Sequence, residues 1–117
     1  MIEAERTAAN MSNNQKTDRI RTVCAFLCEN GIPERYHDLM QAIILTLADD
    51  PDCSFENACR NYAVQNRISG ESVIRACKRA VCSGWEQAES PTALLFRQRL
   101  SPEVFVRNAV DALKNKL

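Results

Sequence analysis

The sequence predicts an all-α fold, a single helical domain of five to six helices containing a helix-turn-helix, and three observations carry that prediction. At 117 residues the chain has room for one core. Three glycines, two tyrosines and few Val-Ile-Thr runs weigh against strands. The apolar residues recur at i, i+3 and i+4 between capping serines, prolines and acid-rich breaks, which is helical periodicity.

Taken in order, residues 1–16 read as a flexible N-terminal tail with a weak helical tendency over 2–9. The run Asn10-Met11-Ser12-Asn13-Asn14-Gln15-Lys16 offers no apolar face to offset its ordering entropy. The domain proper is expected over 17–117. Thr17 is a good N-cap with Asp18 in the first turn, and Ile20, Val23, Cys24, Leu27 and Cys28 form the inward face of a first helix. Asn30-Gly31 ends it and Pro33 forbids continuation. A second helix is expected from about Glu34 to Ala48, with Leu39, Ile43, Ile44 and Leu47 inward, until Asp49-Asp50-Pro51-Asp52 breaks it.

Ser54 caps a third helix through about Asn66, with Phe55, Ala58, Cys59 and Tyr62 inward. Arg67-Ile68-Ser69-Gly70 is a tight connection, and Ser69 caps a fourth helix with Glu71 in its positive first turn. Two helices so joined fit a helix-turn-helix over about 54–85. A short helix across 92–99 follows. The last helix has Ser101 as N-cap, Pro102 at the first position and Glu103 behind it. Phe105, Val106, Ala109, Val110 and Leu113 face inward.

The formal charge is zero, yet residues 1–56 carry ten acids against five bases, and residues 57–117 the reverse. A basic half suggests a polyanionic partner. No apolar run reaches membrane-spanning length and residues 1–10 carry Glu3, Glu5 and Arg6. The expectation is a cytoplasmic protein with no membrane partner. Six cysteines are then expected as reduced thiols. With no Cys-x-x-Cys, and no cysteine within eight residues of the single His37, no metal site is expected. Cys24, Cys28 and Cys77 read as small hydrophobes. Paired carboxylates, a Gly-rich phosphate loop and a Cys/His cluster are all missing. No enzyme activity and no cofactor are therefore expected, and His37 reads as an exposed helix residue rather than a base.

On a wheel of the fourth helix, Val73, Cys77, Ala80, Val81 and Gly84 gather on one side, and Arg75, Lys78, Arg79, Cys82 and Glu86 on the other. Three cations within five residues suit DNA, because Lys and Arg neutralise phosphates and an Arg can donate two hydrogen bonds to guanine. The plainer reading is a solvated face. The expected DNA contacts are Ser72, Ile74, Arg75, Lys78 and Arg79, near the N-terminal half of the helix where a recognition helix reads bases.

The segment from Glu71 to Trp85 resembles the recognition helix of the stage-zero sporulation response regulator, whose pattern there is Val-x-Arg-Ala-x-Arg-x-Ala-x-x-x-Ala-Trp. Val73, Arg75, Ala76, Ala80 and Trp85 match, and Lys78 stands for an arginine. Gly31-Ile32-Pro33, Leu39 with Ala42-Ile43, and Phe105-Val106 with Asp111 and Leu113 resemble flanking motifs of the same effector domain in the same order, over roughly residues 20–117. The resemblance implies a six-helix effector and a transcriptional regulator with double-stranded DNA as partner. Contacts to RNA polymerase or a second copy are a further expectation. The family's receiver domain has no counterpart here. Ser72 replaces an arginine, Ile74 a glutamate and Arg79 a histidine, so the same DNA box is not implied. A second reading, of another class, is a receiverless relative that acts as a protein-interaction module with a regulator or polymerase subunit.

Overall fold

The computed structural model describes the backbone of residues 2–86 and 100–117, and their side chains from Lys16 onward. Among the described residues there are five α-helices, a 3-10 turn and no strand. The helices are α1 (Ile2–Glu29), α2 (His37–Asp49), α3 (Phe55–Asn66), α4 (Gly70–Glu86) and α5 (Pro102–Leu113), with the 3-10 turn (Glu34–Tyr36) before α2. The all-α class is the one the periodicity requires. The helix expected at 92–99 lies outside the described residues.

The first helix departs from expectation at its start. It begins at Ile2, and Thr17 lies inside it rather than at its N-cap. No proline or glycine interrupts residues 2–16, and Ala4, Glu5, Arg6, Ala8 and Ala9 are good helix formers. A helix nucleated by packing further along can therefore extend backwards. Its inward face is also rotated. Val23, Phe26, Leu27 and Asn30 are buried at i, i+3, i+4 and i+7, whereas Ile20 is 39% exposed, Cys28 is exposed and Cys24 is half-buried.

The stop signal at its end acts through backbone geometry. Gly31 takes a φ of 76°, the Ile32 N–H donates to the Leu27 carbonyl at 3.0 Å, and the Gly31 N–H to that of Cys28 at 3.0 Å. These two bonds form a Schellman closure, and Leu27 and Ile32 are both buried beside it. Pro33 then starts the 3-10 turn, so α2 begins at His37 rather than Glu34. His37 is half-buried and its Nε2–H donates to the Ile32 carbonyl at 2.8 Å. It therefore fastens this corner instead of standing exposed.

Helix α2 is central, packing against α1, α3, α5 and, less extensively, α4. Leu39, Met40, Ile43, Ile44 and Leu47 supply its buried residues, and Arg19 of α1 pairs with Asp49 at its end. Phe105, Val106, Ala109 and Leu113 of α5 join the same core, with Val110 half-buried. Each large apolar side chain fully buried there contributes about 1.5–3 kcal/mol. Ser101 caps α5 by accepting from the Val104 N–H at 3.2 Å, with Pro102 in the first turn.

Candidate nucleic-acid interface

Helices α3 and α4 pack against each other more extensively than any other pair among the described elements. Ser54 starts α3, accepting from the Asn57 N–H at 3.1 Å. Phe55, Ala58, Cys59 and Ala63 are buried, while Tyr62, expected inward, is half-buried. Three residues, 67–69, then separate the helices. The Ile68 N–H donates to the Ala63 carbonyl at 3.0 Å and the Arg67 N–H to that of Val64 at 3.4 Å. This is the same closure that ends α1, but the left-handed position holds Arg67, at φ 56° and ψ 42°, where α1 has glycine. A left-handed non-glycine residue costs about 1–2 kcal/mol, and α3–α4 packing holds it there.

Ser69 caps α4, its Oγ accepting from the Ser72 N–H at 3.1 Å. The buried residues of α4 are Val73, Cys77, Ala80, Val81 and Gly84, the set the wheel predicts. Trp85 is half-buried at the edge of the core.

The opposite face carries the candidate residues, and Arg75, Lys78 and Arg79 are all exposed on it. Arg75 approaches Glu71 at 4.0 Å, with side chains 71% and 85% exposed, which is a loose surface contact of little energetic weight. Ser72 is exposed, but its hydroxyl shares a 2.8 Å hydrogen bond with that of Ser69, so it is engaged in the cap. Ile74 is half-buried and packs against the core, so only part of its side chain reaches the surface. Lys78 and the half-buried Cys82 line a pocket of about 230 Å³ closed by Leu100, Ser101 and Pro102. A larger cleft of about 400 Å³ lies between α2 and α5 and shares no residue with this face.

Two cations absent from the sequence-based set lie close to the start of α4. Arg67 sits exposed in the turn. The Arg60 stem lies beside Gly70, where a Cβ would stand 3.7 Å from Arg60 Cγ, and its guanidinium pairs with Glu56 at 2.7 Å. Their position in the basic half was readable in the sequence. Their nearness to α4 depends on how the two helices cross.

Behind the face, Cys59 and Cys77 lie in the α3–α4 interface, both fully buried. The neighbouring Cys77 thiol holds the Cys59 thiol below its ordinary value, and the Cys59 thiol, with burial, pushes the Cys77 thiol far up. All six cysteines are free thiols, and among the described residues no group of three or more His, Cys, Asp or Glu is placed to hold a metal. No described helix is long and apolar enough to cross a membrane. Comparison with protein-family models, curated proteins and solved structures finds no match.

Proposed function

We propose that the chain binds double-stranded DNA through the outer face of α4, as a transcriptional regulator whose α3–turn–α4 unit works as a helix-turn-helix. The observation that carries this reading is that Arg75, Lys78 and Arg79 stand together and exposed on a helix whose other face is wholly engaged in the core. Their charge favours phosphates, with release of condensed counterions, and gives sequence-independent affinity. Arg75, nearest the N-terminal half, is placed to donate to guanine O6 and N7, while Lys78 and Arg79 meet phosphates or flanking bases. The resemblance of residues 71–85 to the sporulation regulator's recognition helix supports the same use of Arg75.

An electrophoretic shift on mixed duplex DNA at low and moderate salt tests this. The expected result is a shift at low salt that weakens steeply as salt rises. Selection from a random duplex pool would then yield the preferred site.

One observation favours the second reading. Val64 is 79% exposed and Ile68 is 46% exposed, at the end of α3 and in the turn. Such a pair suits a protein partner, a regulator or a polymerase subunit. A chain that shifts no duplex at low salt would establish that reading in place of the first.

A further inference from the structure

We infer that the cleft between α2 and α5 is a binding site for a free amino acid with an apolar side chain. The cleft holds about 400 Å³, within the range that small-molecule sites occupy. Its wall is apolar: Leu47 is buried, Ala48 and Val110 are half-buried, and Pro51 stands beside them. None of these side chains offers a hydrogen-bonding group, so the wall suits an aliphatic or aromatic side chain. The α5 edge of the cleft is charged. Positions 107, 110, 111 and 114 follow the i, i+3, i+4, i+7 spacing of one helix face, next to the core face of α5.

Asp111 and Lys114 are exposed at this edge, and among the described residues neither makes an ion pair. The other cations nearby are engaged. Arg107 faces Glu103 at 3.5 Å, and Arg19, in an adjoining groove of about 150 Å³, pairs with Asp49. One carboxylate and one ammonium therefore remain for a ligand. Lys114 keeps a helical backbone, φ −47° and ψ −41°, so three residues apart the two Cβ atoms stand about 5–6 Å from each other. An amino acid carries its ammonium and carboxylate on one carbon and fits that spacing, ammonium to Asp111 and carboxylate to Lys114. Its side chain then lies against Leu47, Ala48 and Val110, which removes apolar surface from water. A ligand with one charge would meet a like charge at the other group. The cleft shares no residue with the outer face of α4, so the site stands whether or not α4 binds DNA.

The test titrates the isotope-labelled full chain with L-phenylalanine and L-leucine, following backbone amide shifts by nuclear magnetic resonance. Phenylpropionate, which keeps the ring and the carboxylate, and phenethylamine, which keeps the ring and the amine, are the single-charge controls. Saturable shifts are expected at the amides of residues 47–50 and 107–114, which border the cleft. Phenylalanine should bind roughly threefold to fivefold tighter than either control, the factor one partly exposed ion pair supplies. Lys114→Gln should reduce phenylalanine to the level of phenethylamine, and Asp111→Asn to that of phenylpropionate. Both side chains are exposed, so each variant keeps the native fold, which circular dichroism checks. The inference is overturned if neither amino acid gives saturable shifts at these amides. It is equally overturned if either control binds as tightly as phenylalanine, or if either natively folded variant binds phenylalanine as tightly as wild type.

Discussion

Arg75 and Glu71 stand one turn apart on the exposed face of α4, guanidinium nitrogen 4.0 Å from carboxylate oxygen. At that distance and exposure the pair stabilises the helix by a few tenths of a kcal/mol at most. Arg75 is therefore available to a ligand, and Glu71, one turn before it, opposes a polyanion there.

Arg75→Ala is expected to cost about 1–3 kcal/mol on the preferred duplex and to relax selectivity at one base pair. Glu71→Gln should strengthen binding to every duplex and change folding stability by less than about 0.5 kcal/mol. Titrations against the selected site and single-base variants, with a thermal melt of each protein, measure both. Equal affinity of Arg75→Ala and wild type for every duplex would remove Arg75 from the reading.

Arg79 lies exposed on the same face, one turn further along α4 than Arg75. Arg79→Ala should weaken all sequences alike and lower the slope of log affinity against log salt by about one. A loss confined to one base pair would instead assign Arg79 to base reading.

Replacing Ser72 by Arg and Ile74 by Glu restores the sporulation family's pattern and should move preference toward that family's box. The fold makes this costly. Ile74 packs partly against the core, so its glutamate variant should lose about 1–3 kcal/mol of stability, measured by urea denaturation. Ser72→Arg alone keeps the cap bond from the residue-72 N–H to Ser69 and should be nearly neutral. An Ile74→Glu chain as stable as wild type would mean that the side chain turns fully outward.

Arg67 occupies a left-handed position that glycine fills at the equivalent end of α1. Arg67→Gly should raise stability by about 0.5–1 kcal/mol, the relief of backbone strain being partly offset by the greater freedom of glycine in the unfolded chain. A higher urea midpoint is the expected outcome. A lower one would show that the Arg67 side chain contributes contacts that outweigh its strain.

What the sequence determined by itself is what depends on neighbouring residues in the chain. Ser54, Ser69 and Ser101 cap α3, α4 and α5 as expected, because a cap needs only a hydroxyl and an N–H three residues on. The buried stripe of α4 was equally legible, since polar and apolar residues divide cleanly at 3.6 residues per turn and the outer cations follow from it. Tertiary structure decided the rest. On α1, Phe26 rather than Cys28 or Ile20 faces inward, because several apolar arcs compete on that helix and the position of α2 selects one. Ile74 and Trp85 became half-buried because their neighbours cover them, not because of their place on the wheel. Arg67 accepts a strained backbone only because packing on either side holds the turn, and Cys59 and Cys77 are buried only because α3 and α4 pack against each other. Contacts between residues distant in the chain are fixed by how whole faces fit together, and no local pattern encodes that fit.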